Sequence, residues 1–201
     1  MHDESHDLKI DAMQRKSFAD MECPIAQALE EVGDGWSLLV LRTAFLGVTF
    51  FAEFEQRLGI PASTLTRRLE ALCERGLLER RTYASRPRRD EYVLTEKGCD
   101  FLPVFLALAK WGSRWLAPEN GPPLVAVDAE SGKPVDAMLV DAKTRRPLVP
   151  GSVALVPGPS ASPSLRRAMP EPIILGGERA SHGSHRGALV ATALAPPKLS
   201  S

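Results

Sequence analysis

Apolar positions in the first half of the chain recur at helical spacing. In "PIAQALEEV", residues 24–32, Pro24 occupies a first turn, where its missing N–H would be unpaired anyway, and Ile25, Leu29 and Val32 fall on one face. Gly33 and Gly35 interrupt that helix. "WSLLVLRTAFLG" is apolar almost all round, which predicts a central, buried helix. "FFAEFEQRLG" predicts a short third helix stopping at Gly59. "PASTLTRRLEALCERG" predicts a fourth, with Leu65, Leu69 and Leu72 along one side, Arg67, Arg68 and Arg75 elsewhere, and Gly76 as a C-terminal stop.

After Gly76 the pattern turns to strands. "LLERRTY" and "EYVLT" predict a hairpin joined by the loop "ASRPRRD". Thr95 then predicts a helix cap. The helix that follows carries Phe101, Phe105, Leu108, Trp111 and Trp115 in one stripe and Leu102, Leu106, Ala109 and Leu116 in another. Two stripes imply two contacts, one with its own domain and one with a partner chain. A short helix, a longer one and a β-hairpin in that order predict a winged helix-turn-helix, whose second helix enters the DNA major groove.

Charge sharpens this picture. Residues 61–90 hold eight arginines and four acidic residues, so the window carries +4 in a chain of 201 residues whose formal net charge is zero. Arginine forks onto phosphate oxygens and guanine edges in a way lysine cannot. Pro87 stiffens the hairpin loop, so Arg86, Arg88 and Arg89 lose less freedom on binding.

Composition divides the chain near Pro118. Every Phe, Tyr, Trp and Cys precedes it, while the 84 residues from 118 on hold 13 of the 17 prolines. Without bulky side chains that stretch builds little core. The expected organisation is an N-terminal arm and helix over 1–22, the winged domain over 23–117, a small β-rich extension over 118–157, and a disordered tail over 158–201. Strands are expected around 124–128, 135–140 and 153–156. The polar, acidic start and the lack of a long apolar run predict a cytoplasmic chain with no membrane contact. Three scattered cysteines form neither a disulfide framework nor a metal knuckle.

The segments "CPIAQALEEVGDGWSLLVLRTAFLG", "FFAEFEQRLGIPASTLTRRLEALCERGLLERRTY" and "RRDEYVLTEKGCDFLPVFLALAKWG" resemble the HxlR-type family of bacterial winged helix-turn-helix transcription regulators, from about Cys23 to Trp115. The resemblance implies an α+β fold with long terminal dimerisation helices. It assigns Ser63, Thr64, Thr66, Arg67 and Arg68 to the recognition helix and Arg86, Arg88 and Arg89 to the wing. It also implies a homodimer through residues 8–20 and 99–116, and hence a pseudo-palindromic operator on double-stranded DNA. Three departures stand out. Gly35 replaces the lysine usual before Trp36, so one backbone phosphate contact is missing. Pro61 replaces the serine that usually starts the recognition helix, leaving no side-chain cap. The tail resembles a zinc-ribbon-like extension, but Ser131, Asp141 and Thr144 stand at the cysteine positions. With no Cys or His between 118 and 181, neither a metal nor another cofactor is expected. Such a relic could instead shield the dimer or help form an effector pocket.

Other residues admit two readings. Cys23 precedes a helix, where the N-terminal field can activate a thiol; some relatives are thought to sense oxidants or aldehydes there, and a small side chain at a helix start is the plainer account. Cys73 lies on the leucine side of its helix, and Cys99 near the expected dimer helix. His182 and His185 lack an acidic or sulfur partner nearby in sequence and fit a disordered tail. Trp36, Trp111 and Trp115 fit core or interface. No clustered nucleophile and base or carboxylate pair suggests catalysis, so no catalytic residue is expected. The leading expectation is a sequence-specific DNA-binding regulator, repressor or activator, open to control by a small molecule or thiol modification. The alternative is a winged-helix interaction module that docks an acidic protein.

Overall fold

The computed structural model describes residues 17–85 and 88–176. Helix α1, Pro24–Val32, begins at Pro24 as expected. Its buried residues are Ala26 and Val32, whereas Ile25 and Leu29 are exposed. The expected Ile25–Leu29–Val32 inner face is therefore corrected: the small Ala26 lets α1 approach its neighbour and turns Ile25 and Leu29 outward. Helix α2, Gly35–Phe45, starts at Gly35 itself, because Asp34 caps it by accepting the Ser37 N–H at 3.0 Å. It is the central helix, touching α1, the two helices that follow it and the hairpin. Two polar side chains are buried in it. Ser37 Oγ donates to Asp34 Oδ2, and Thr43 Oγ1 donates back to Leu39 O at 2.8 Å.

Helix α3, Phe51–Leu58, ends in a left-handed Gly59, φ 62°. Ile60 is buried, and helix α4, Ala62–Glu74, begins after Pro61. Pro61 is the residue before the first turn rather than inside it, and it supplies no side-chain cap. Leu65, Leu69 and Leu72 are fully buried, each contributing about 2 kcal/mol of burial free energy. Gly76, φ 70°, ends α4: its N–H meets Cys73 O and the Leu77 N–H meets Leu72 O, both at 2.9 Å.

Strands β1, Leu78–Ser85, and β2, Arg88–Leu94, pair antiparallel from Leu78↔Leu94 to Ser85↔Arg88, with a bulge between Thr82 and Ala84. The expected loop over 84–90 is thus corrected. Ladder pairing carries the strands nearly to the tip, so Arg88 and Arg89 lie on β2. The hairpin is fixed to the helices where the Tyr92 N–H donates to Thr49 O at 2.8 Å and Phe54 meets Tyr92 edge to face.

Thr95 caps a short helix α5, Glu96–Cys99, accepting the Gly98 N–H at 3.1 Å and donating to Gly76 O at 2.6 Å. The single long helix expected after Thr95 is in fact two. Pro103 has no N–H to bond Cys99 O and its ring clashes there, so the chain turns and α6, Leu102–Trp115, begins anew. No residue of α6 is buried, although Phe105 stacks on Phe45 with centroids 5.6 Å apart.

Two compact units are separable, one running to Met138 and one from Leu139. The first contains the helices and hairpin above and a turn closed by the bridge Val127↔Pro134. The second contains a turn closed by Val140↔Pro147, a strand pair β3, Ala154–Leu155, with β4, Ile173–Ile174, and a helix α7, Pro163–Ala168, capped by Ser162. The strands expected at 124–128 and 135–140 shrink to these bridges, and ordered elements occupy part of the tail expected to be disordered. His182 and His185 lie outside the described residues. No helix among the described residues is long and apolar enough to cross a membrane.

Gly98 offers a direct test of how closely α5 seats on the hairpin. A Cβ there would fall 2.2 Å from Leu77 O and 3.1 Å from Leu94 Cδ2. Gly98→Ala is expected to destabilise the protein by roughly 2–3 kcal/mol, read as a lowered midpoint of thermal unfolding.

Candidate nucleic-acid interface

Burial of the leucine side of α4 dictates what its other side presents. Ser63, Thr66, Arg67 and Glu70 are exposed, while Thr64 and Arg68 are half-buried. The recognition residues expected from the sequence therefore do not share one environment. Ser63, Thr66 and Arg67 stand on the open face. Arg68 turns toward α2, its Nε 3.1 Å from Asp34 Oδ1, with only 24% and 15% of the two side chains exposed. That Nε makes the ion pair without hydrogen-bond alignment. Asp34 thus caps the start of α2, holds Ser37 and pairs with Arg68 of α4 through a single carboxylate.

The remaining arginines sort in the same way. Arg75 donates to Glu31 O at 2.8 Å, tying the end of α4 to α1. Arg80 forks onto Asp90 Oδ2, with its Nε at 2.8 Å, and lies 6.0 Å over the Tyr92 ring. The hydrogen bond that Arg80 donates to Asp90 raises the Arg80 pKa further. Arg81 pairs with Glu79 at 2.9 Å, which lowers the pKa of that carboxyl. Arg67 and Arg89 are exposed and hold no ion pair among the described residues. Arg86 lies outside the described residues, and Arg88 is placed here only by its backbone, opposite Ser85.

Sequence reading missed two contributors. Glu70 shares the open face of α4 with Thr66 and Arg67; its position three and four residues beyond them was signal enough once the leucines were taken as the inner face. A carboxylate there can accept from the cytosine amino group and repels phosphate. Asp34 had no motif to mark it, because its partner Arg68 is distant in sequence. The cysteines divide as well. Cys23 is half-buried at the N-cap of α1, and Cys99 is exposed at the end of α5. Cys73 packs against the core, and burial raises its thiol pKa.

A short helix, a tight turn, a helix with an open polar face and a hairpin beside it are arranged as a DNA-reading unit. Residues 31–120 match the HxlR-like helix-turn-helix family. The chain is 39% identical over 135 residues to the HTH-type transcriptional regulator Rv3095 of Mycobacterium tuberculosis, covering 67% of this chain and 85% of that one. The chain belongs to the HxlR-like helix-turn-helix family. Solved structures agree. PA1607, described as a candidate transcription factor, superposes with a TM-score of 0.64 at 32% identity, covering 70% of this chain and 99% of that one. PA1374 of Pseudomonas aeruginosa, described likewise, gives 0.54 at 42% identity, covering 73% and 100%. This HxlR-like protein is a DNA-binding transcriptional regulator with an α+β winged-helix fold.

The two neighbouring arginines of α4 are expected to fail differently. Arg68→Ala strips Asp34 of its partner in a half-buried site and should cost about 1–2 kcal/mol. Arg67→Ala, on the open face, should change stability by less than about 0.5 kcal/mol. Urea unfolding of the two variants checks this; equal losses would mean that Arg68 is not held by Asp34.

Proposed function

We propose that this regulator binds a pseudo-palindromic operator as a homodimer, reading bases with α4 and holding the backbone with the β1–β2 hairpin. The observation that carries the reading is the division of α4 into a fully buried leucine side and an open face with Ser63, Thr66 and Arg67. Thr64 lies at the edge of that face. Arg68, paired to Asp34, sets the pitch of the helix and offers its remaining N–H groups to a phosphate. Arg86, Arg88 and Arg89 contact phosphates or the minor groove from the hairpin. No enzymatic step enters this account, and the place of action is the cytoplasm.

Apolar exposure supports the dimer. Leu108, Trp111 and Trp115, three and four residues apart along α6, and Ile25 of α1 are all more than half exposed in the protomer, and exposed large apolar side chains grouped in this way mark an interface. The partner surface expected within residues 8–20 is described here only from residue 17 onward. The winged domain over 23–117 and the extension over 118–157 are read as separate modules. The extension is read as a zinc-ribbon-like fold without metal. In support, aspartate carboxylates close its turns: Asp128 Oδ1 accepts from Ser131 N at 2.8 Å, and Asp141 Oδ1 accepts from Thr144 N at 2.6 Å. Control through a small molecule, or through Cys23 at the N-cap of α1, completes the proposal. Family membership weighs against the alternative of an acidic protein partner.

Recovery of bound genomic fragments, followed by titration of the shared sequence, tests the whole reading. Arg88→Ala/Arg89→Ala should weaken binding to every duplex and reduce the slope of log affinity against log salt by about 0.9 for each phosphate no longer neutralised. Arg67→Ala should relax sequence preference more than it weakens non-specific binding. An unchanged salt slope in the hairpin variant would remove the hairpin from the interface. Trp111→Glu should leave a folded protomer that sediments as a monomer; a persistent dimer would place the interface elsewhere.

A further inference from the structure

The two turns beyond α6 are copies of one another. Val127-Asp128-Ala129-Glu130-Ser131-Gly132-Lys133-Pro134 is followed, thirteen residues on, by Val140-Asp141-Ala142-Lys143-Thr144-Arg145-Arg146-Pro147. The hydrogen bonds repeat with the sequence. Asp128 N donates to Lys133 O at 2.8 Å, Gly132 N to Asp128 O at 2.8 Å and Val135 N to Ala126 O at 2.9 Å. In the second copy Asp141 N donates to Arg146 O at 2.9 Å, Arg145 N to Asp141 O at 2.8 Å and Leu148 N to Leu139 O at 2.9 Å.

The copies differ in charge. Glu130, Gly132 and Lys133 of the first correspond to Lys143, Arg145 and Arg146 of the second. The first tip is balanced; the second carries three cations within four residues, all exposed and without an ion pair among the described residues. Asp141 forms no ion pair with them among the described residues; its Oδ1 accepts the N–H groups of Lys143 and Thr144, and three cations less this one carboxylate leave the turn at +2. The frame also demands a left-handed residue at one position. Gly132 supplies it at φ 67° without steric penalty, but Arg145 adopts φ 59° there, the one non-glycine among the described residues to do so. A side chain in this region is sterically disfavoured; the backbone bonds of the turn hold it there, and the exposed Arg145 guanidinium makes no ion pair among the described residues. Replacing glycine with a strained, unpaired arginine points to an external use of the charge.

We infer that the Asp141–Pro147 hairpin binds the phosphate backbone of duplex DNA flanking the operator. The inference rests on the DNA-binding reading above. The exposed side chains of Lys143, Arg145 and Arg146 are hydrogen-bond donors only, which fits a uniform polyanion. Once α4 has engaged its site, flanking phosphates within reach of the tether are at raised effective concentration for a cation on the same chain.

Two full-length variants test this, Arg145→Gly and Lys143→Ala/Arg146→Ala. Each is titrated by fluorescence anisotropy against a duplex containing only the recovered operator and against the same duplex extended on both sides by mixed sequence. Arg145→Gly is expected to unfold at a higher temperature than the parent, yet to bind the extended duplex several-fold more weakly. On the extended duplex, the salt slope of the double variant should fall by about 0.9 per phosphate left without its cation. Both should match the parent on the short duplex. Parent-like affinity and slope on the extended duplex would overturn the inference, as would equal losses on both lengths, which would put the hairpin inside the operator. Parent retention on immobilised poly-glutamate that both variants lose, with DNA binding intact, would assign the tip to an acidic polypeptide instead. Arg88→Ala/Arg89→Ala separates this outcome from failure of the operator reading, because it should weaken binding on both lengths.

Discussion

Packing of the leucine seam of α4 against α2 is the constraint on which the rest of the molecule depends. Leu65, Leu69 and Leu72 are fully buried, as are Val40 and Leu41 of α2. Removal of these side chains from water leaves α4 a single allowed rotation about its axis. The same rotation decides that Ser63, Thr66, Arg67 and Glu70 face outward. The open face of this helix is thus a by-product of core packing: it is whatever the core did not claim. The hairpin shares that foundation, since Leu78 and Tyr92 belong to the same core and the Tyr92 N–H is bonded to the residue before Phe50.

Around this apolar centre, polar contacts fix direction rather than supply most of the stability. Asp34 caps α2 and meets Arg68; Arg75 and Lys97 both reach Glu31, the first at its carbonyl and the second at its carboxylate. These links run from α1 and the start of α2 to the middle and C-terminal end of α4 and to α5. They restrain sliding of the helices along their apolar contacts, which hydrophobic burial alone leaves soft because it has no direction. Much of the arginine content of residues 61–90 is consumed in such work. Arg68, Arg75, Arg80 and Arg81 each have a carboxylate or carbonyl partner, so the count of arginines in the window overstates how many are free to meet DNA.

Local signals carried the elements well where one residue type decides the matter. Pro24, Gly59, Gly76 and Thr95 start, stop or cap helices through their own backbone limits or side-chain oxygen, and each does so where expected. Errors arose where a distant partner or a competing local rule intervened. Pro103 divides a helix that periodicity read as continuous. Strand pairing across β1 and β2 outweighs the loop-like composition of residues 84–90. The paired turns beyond α6 escaped notice because their shared frame is written in hydrogen bonds as much as in residue identity.

Sequence by itself determined the order of the elements, the inner face of α4 and the family, since these follow from spacing, backbone restrictions and motifs that are local in the chain. Only the tertiary structure decided which charges are free. An arginine is equally charged in every context, and whether it meets Asp34, Asp90 or solvent depends on which segments folding brings within a few ångströms. It also decided that Leu102, Val104, Leu108, Trp111 and Trp115 of α6 and half the apolar face of α1 remain uncovered in the protomer. Hydrophobic pattern states that a side chain will seek burial, but what buries it is settled by the geometry of the neighbours.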